Sequence, residues 1–195
     1  MNAVINIEPG ADYSYTEHHV HGPHGGVLVM PKAHVVIGNG ARFRTEFKLL
    51  QGRVGEMDID YELDCYANAV FEMLAAVNGK ANDRITIHES GRLLGEYSRG
   101  ALTTHIAVRN QASAEVYNTL IAEAPYARGH VDCKEIIQDQ GKAKAVPIVE
   151  VRHPKAHVTH EAAIGSVDSK QLETLMSRGL NEEEAIDLII AGMLS

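Results

Sequence analysis

The sequence predicts an all-β domain followed by a short C-terminal helical segment. From Ile5 to about Val158 the apolar residues mostly alternate with polar ones, the period of two expected of strands with one wet face. From Ser166 onward the apolar spacing changes to three and four residues, as on one face of a helix. No amphipathic crossover helix of the kind a βαβ fold needs interrupts the alternating stretch.

Within the alternating part, the clearest strand is Met57, Ile59, Tyr61, Leu63 and Cys65, interleaved with Asp58, Asp60, Glu62 and Asp64. Shorter pieces of the same kind are Val27–Met30, Ile85 with Ile87, Ile106 with Val108, and Val146–Val151. Turn residues stand between them at Gly38-Asn39-Gly40, Asn78-Gly79, Ser90-Gly91 and Asn110. The stretch Ala67–Val77, rich in Ala, Glu and Met, also admits a helical reading. Many short strands suit a sandwich, a barrel or a solenoid, and with no sharp repeat of coil length the pattern leaves all three open.

The C-terminal segment carries explicit boundary signals. Ser166, Asp168 and Ser169 are N-cap candidates for a helix through Leu172, Leu175 and Met176, and Gly179 stands where a C-terminal cap belongs. Asn181 followed by Glu182, Glu183 and Glu184 starts a second helix that runs to about Met193, with acidic residues placed to suit the helix dipole. Its Ala185, Ile186, Leu188, Ile189 and Ile190 make more apolar surface than one packing face consumes, so the helix is expected to serve its own β-domain, a partner, or both.

A chain of 195 residues can bury a core without disulfides or metals. Its net charge of -8 repels polyphosphate backbones, which argues against a nucleic-acid partner. No apolar run approaches the ~18 residues of a membrane helix and no leader-like pattern opens the chain, so a cytoplasmic location without a membrane partner is expected. Two cysteines, Cys65 and Cys133, with no CxxC pair exclude a disulfide framework and a zinc ribbon within one chain.

Three groups of residues invite a chemical reading. His18, His19, His21 and His24 look metal-like, but a cupin site would place a Glu where Gly25-Gly26-Val27 stands, and the adjacent Gly and Pro favour an exposed turn. Asp58, Asp60 and Asp64 resemble the acid and base pairs of β-helical carbohydrate enzymes, yet their alternation with apolar residues reads as a solvated strand face. Cys133 lies in the stretch Gly129–Glu135, and His160-Glu161 follows 27 to 28 residues later. In a solenoid with coils of roughly 20–30 residues, that separation returns the chain to the same angular position one rung along. Cys133, His160 and Glu161, with His130 and Asp132 beside the cysteine, then form a candidate set of thiolate, imidazole and carboxylate ligands for iron or an iron–sulfur cluster.

The C-terminal stretch from His157 to Ser195 carries a resemblance. His160-Glu161-Ala162, Gly165, Asp168 with Gln171-Leu172, Ser177-Arg178-Gly179 and a final helix through Gly192-Met193 closely resemble the C-terminal signature of the SufB/SufD family of iron–sulfur cluster assembly proteins. The match is in register over nearly forty residues, and Asn118–Gln140 is similar in outline to the last coils of the family core.

That resemblance implies a right-handed parallel β-helix over residues 1–160 and, over 161–195, a helical segment that docks a SufC-like ABC-type ATPase. It further implies a scaffold without turnover of its own, pairing with itself or with a homologous SufB/SufD subunit through the β-helix. A transient iron–sulfur cluster would be held at that interface, with sulfur supplied by a donor protein. The alternative within the family is a SufD-like module that docks the ATPase without holding a cluster. His160 and Glu161 match the family pair directly. Counted back from them without a gap, the family cysteine falls on Asp132 and not on Cys133, a one-residue step that reverses which face of a strand carries the thiol. The expected form is short and minimal, a homodimer serving both partner roles.

Overall fold

The computed structural model describes residues 2–195, and in it the alternating sequence winds into a parallel β-helix of about six turns. The first sheet contains β1 (Asn2–Ile7), β3 (Val27–Val29), β4 (Lys32–Ile37), β6 (Gly55–Cys65), β8 (Arg84–Leu93), β10 (Ser113–Ala122) and β12 (Lys142–Val151). Facing it, the second sheet contains β2 (Asp12–Val20), β5 (Arg42–Gln51), β7 (Val70–Gly79), β9 (Arg99–Val108), β11 (Arg128–Ile137) and β13 (His157–Gly165). Each turn contributes one strand to each sheet, except that the short β3 and β4 both pair with β6 in the first, and every pairing is parallel. Helices α1 (Ser169–Met176) and α2 (Glu182–Met193) complete the chain. The all-β reading, the solenoid and the C-terminal helical segment all hold.

A repeat is present after all, written in register and not in identity. Register partners lie 28 to 31 residues apart, as in Asn2 with Lys32, Lys32 with Asp60, Ser113 with Lys142 and, past a register shift, Val20 with Gln51. Inward side chains therefore stack in columns along the axis, for example Ile59, Ile87 and Val116, and this lumen is the main core. Met57, Ile59, Tyr61, Leu63 and Cys65 are all buried while Asp58, Asp60, Glu62 and Asp64 face outward, as the alternation predicts.

Five local expectations are corrected. Ala67–Val77 is not helical: Asn68 takes a positive φ of 58° in a corner, and β7 follows, because its Phe71, Met73 and Ala75 fill the lumen. Ser90-Gly91 is no turn either but the middle of β8. A Cβ on Gly91 would lie 2.5 Å from the Phe71 ring, so the glycine makes room for a luminal aromatic. Asn78-Gly79 likewise lies at the end of β7, and the corner comes after it. Of the histidine-rich segment, His18 and His19 end strand β2, and only His21–His24 form the expected loop. The strand β13 runs on to Gly165, so the change from solenoid to helix falls at Ser166–Asp168 and not at residue 161.

The helices begin where their caps place them. Asp168 accepts from the Gln171 amide at 2.8 Å, and Asn181 and Glu184 form a reciprocal capping box with two 2.9 Å bonds. Gly179 adopts a φ of 100° between the helices, the left-handed region that glycine enters without steric cost. α2 lies on the outer face of the second sheet, where Ile186, Ile190 and Leu194 pack with Ala76 and Ala107 in a second apolar cluster. Arg109 at the end of β9 adds an ion pair to Asp187. The surplus apolar surface is thus divided: Ile186 and Ile190 are buried against the chain's own sheet, whereas Leu188 remains 52% exposed.

Candidate functional site

Strand β11 carries the site and divides it between two faces. Val131, Cys133 and Glu135 alternate with Asp132 and Lys134, so the first three point into the lumen and the other two outward. On β13, Asp132 has Glu161 as its register partner, Cys133 has Ala162, and Val131 has His160. The five candidate residues therefore separate. Asp132, Glu161 and His130 belong to the outer face, whereas Cys133 and His160 belong to the luminal face, with His160 at the open end of the last turn. The expected meeting of Cys133 with Glu161 does not occur, because neighbouring residues of a strand point to opposite sides and no bulge intervenes in this pair of strands.

On the outer face, Asp132 is the centre. Its Oδ2 accepts from Lys134 Nζ at 2.9 Å and faces His105 Nε2 at 3.3 Å, while its Oδ1 is buried without a partner among the described residues. Partial burial works to raise the Asp132 carboxyl, and the Lys134 and His105 donors outweigh it, so the group is held below the usual range and stays ionised. The neighbouring Lys134 ammonium is pushed up, first by its hydrogen bond to Asp132 and also by the charges of Asp132 and Glu161. His130 Nδ1 meets the Thr159 hydroxyl at 2.8 Å, and Glu161 is exposed.

Sequence reasoning missed His105. It sits on β9, two residues before Ala107, and its other nitrogen, Nδ1, lies 3.1 Å from the carbonyl oxygen of Met193 in the last turn of α2. A carbonyl and a carboxylate only accept, so both contacts are hydrogen bonds when each ring nitrogen carries a hydrogen. The signal was the spacing: His105 is the register partner of Lys134, one coil back.

The lumen holds a second, contrasting set, also unread in the sequence. Thr104 donates to Glu89 Oε2 at 3.1 Å, and Asn118 Nδ2 donates to Thr104 at 2.7 Å and lies 3.5 Å from Cys133 Sγ. Asn118 Oδ1 and both carboxylate oxygens of Glu135 are buried without a partner among the described residues. Burial pushes Glu89 and Glu135 up to about 7, with the charge of Asp132 adding to the second. Burial, then the nearby Glu135, pushes the Cys133 thiol up to about 12, so at neutral pH it is a thiol and neither a strong nucleophile nor a good metal ligand. Their sequence signal was parity, since Glu89 shares the inward phase of Ile85 and Ile87.

The N-terminal histidines form a row and not a cage. His19 Nε2 lies 3.0 Å from Glu17, His21 Nε2 lies 3.3 Å from His19 Nδ1, and the two rings stack. Among the described residues, no three His, Cys, Asp or Glu side chains converge as a metal site would require, and no helix is long and apolar enough to cross a membrane.

The two C-terminal helices enclose a groove of about 860 Å³ between them and the sheet, lined by Ile136, Leu175, Leu188, Ile189 and Met193 among others. At the same end of the solenoid, β12 and β13 are the last strands of their sheets, each paired on one side only.

Comparison with known proteins extends the C-terminal resemblance over the whole fold. A family model described as "SUF system FeS cluster assembly, SufBD core domain" matches residues 46–193. An iron–sulfur cluster assembly SufBD family protein of Methanocaldococcus jannaschii is 38% identical over 194 residues, covering 100% of this chain and 61% of that protein. Another, from Pyrococcus horikoshii, is 34% identical over 194 residues, covering 98% of this chain and 59% of its own length. The SufB of Bacillus subtilis is 34% identical over a shorter stretch of 73 residues. The chain spans about three-fifths of the length of the two archaeal relatives. With its β-helix, its two capped helices and a core-domain match over residues 46–193, the chain belongs to the SufBD family of iron–sulfur cluster assembly proteins.

Proposed function

We propose that the chain is a scaffold on which an iron–sulfur cluster is assembled, driven by a SufC-like ABC-type ATPase, with no turnover chemistry of its own. The observation that carries this reading is the register pairing of Asp132 with Glu161 on the outer face, on the last two strands of the second sheet. The cluster is cargo here, not a resident group. Carboxylate oxygens and imidazole suit ferrous iron, and the unpartnered, buried Oδ1 of Asp132 leaves a lone pair for a cation. Thiolate normally dominates cluster ligation, and the outer face offers none, so in this reading sulfur comes from a donor protein.

Two surfaces support the partners. The groove between α1 and α2, with Leu188 exposed beside it, suits an apolar docking segment of the ATPase. The one-sided edges of β12 and β13 suit a second copy or a homologous subunit, because an open strand edge calls for a cover.

Anaerobic addition of ferrous iron and sulfide, followed by absorption, tests the scaffold. Iron–sulfur absorbance should develop in the wild-type protein, persist in Cys133→Ser and disappear in Glu161→Ala. Loss of absorbance in Cys133→Ser would instead draw the ligands into the lumen and overturn the outer-face placement. The second reading, a SufD-like module, is favoured by the inward, protonated thiol of Cys133. It predicts ATPase binding by a wild-type protein that develops no absorbance at all.

A further inference from the structure

His105 touches two parts of the molecule that are otherwise held by separate elements. Its Nδ1 meets the Met193 carbonyl at 3.1 Å, in the last turn of α2, and its Nε2 meets Asp132 at 3.3 Å. The ring is largely enclosed, with 17% of its side chain exposed, and so is the Asp132 side chain at 16%. Backbone neighbours restrict both ends: Ala107, two residues after His105, packs under α2, and Lys134, the register partner of His105, occupies the same carboxylate oxygen.

We infer that His105 is a positioning residue that couples the seating of α2 to the orientation of the Asp132 carboxylate, and through it to the Asp132–Glu161 pair. The physical reason is the economy of donors around Asp132. Its Oδ2 receives two donors, Lys134 from its own strand and His105 from the next, while Oδ1 receives none. A carboxylate bound through one oxygen is free to rotate when either donor leaves. Lys134 sits on β11 and is drawn to Asp132 and Glu161, both on the same sheet, so it follows the sheet. His105 is anchored also by a helix terminus, where carbonyls attract a donor. When the last turn of α2 lifts or tightens, the ring turns with it and Asp132 loses or regains its second donor. The other polar tie of α2 to the sheet, Arg109 with Asp187, reaches no group of the candidate site directly. The inference rests on the proposed function only in taking Asp132 and Glu161 as the site that is positioned. The coupling itself requires neither iron nor an ATPase.

The test uses the full chain without metal or partner, at one fixed pH. Ile190→Ala weakens the packing of α2 without touching the ring, and carboxyl and amide NMR signals report on Asp132 and Glu161. The expected result is that Ile190→Ala moves both signals in the wild-type background and leaves them in place in a His105→Phe background. Asp187→Ala serves as the gentler perturbation should Ile190→Ala detach the helix. Coupling is reciprocal, so Asp132→Asn should speed amide exchange in the last turn of α2 by about fivefold or more, and should not do so once His105 is Phe. Equal signal movement in both backgrounds, or none in either, overturns the inference. Because no iron and no ATPase is present, a failed cluster assay leaves this result standing, and the reverse also holds.

Discussion

The lumen and the outer face of the second sheet hold similar polar groups one residue apart and give them opposite chemistry. Glu89, Glu135 and Cys133 are inside, pushed by burial toward their neutral forms. Asp132 is outside, held ionised by Lys134 and His105 despite its partial burial. The difference lies in what the strand phase supplies. Inside, the donor to a carboxylate is the Thr104 hydroxyl, itself linked through the Asn118 amide to the Cys133 thiol, whereas outside the donors are an ammonium and an imidazole. A phase of one residue therefore decides whether a group at this height of the solenoid is held ionised or kept protonated.

The largest expected effect comes from moving a charge across that boundary. Cys133→Asp would bury a carboxylate among Asn118, Glu135 and apolar side chains, and should cost about 3–5 kcal/mol of stability at pH 7. The mirror change, Asp132→Cys, removes a partly exposed ion pair and should cost roughly 1 kcal/mol. Urea unfolding of the two variants measures the contrast, and equal losses would mean that the two positions do not differ in environment.

Next in size is the pH dependence of the lumen. An acid whose folded value is raised is more readily protonated when folded than when unfolded, so its stabilising contribution is full below the unfolded value near 4.5 and is lost as pH rises through about 7. Wild-type stability should fall between these limits, by on the order of 3 kcal/mol for each buried acid. Glu89→Gln and Glu135→Gln should flatten that fall and be more stable than wild type above pH 8. A wild-type profile that rises over the same window would contradict the burial of these groups.

Thiol reactivity gives a kinetic version of the same contrast. With its thiol pushed up to about 12 and the side chain fully buried, Cys133 should alkylate at pH 8 about a thousandfold more slowly in the folded protein than in urea. The smallest effect belongs to the outer face, where Asp187→Ala removes only the ion pair with Arg109 and should cost about 0.5–1 kcal/mol in urea unfolding.

These two faces were unequally legible in the sequence. The alternation of Met57 to Cys65 reads directly as a strand, and Asp168, Gly179 and Asn181 mark the helices because caps are local chemistry. The β-helix is harder to read, since its pairing partners stand 28 to 31 residues apart and the stacked positions keep size and phase but not identity. Short echoes do exist, such as Ser98-Arg99-Gly100 and Ala127-Arg128-Gly129, whose arginines and glycines are register partners. Ala67–Val77 misleads through composition, because Ala75 and Ala76 are small for the tight stacking of luminal and helix-facing positions and not for helix propensity. In the site, phase alone separates Cys133 from Glu161, and Asp132 was recognisable as the residue facing that glutamate. For His105 the spacing to Lys134 gave its place on the sheet but not its importance, which comes from α2 folding back across the sheet, a contact 88 residues distant in sequence.

The phase of β11 can be measured directly by cross-linking. Asp132 and Glu161 are register partners on adjacent strands, a spacing within reach of a disulfide. In a Cys133→Ser background, the pair Asp132→Cys with Glu161→Cys should oxidise to an intramolecular disulfide, seen by mass as loss of the two thiol hydrogens. In the single variant Glu161→Cys, native Cys133 should remain reduced, because its side chain points into the lumen; a Cys133 disulfide to residue 161 in that variant would place the thiol outside and contradict the two-faced site.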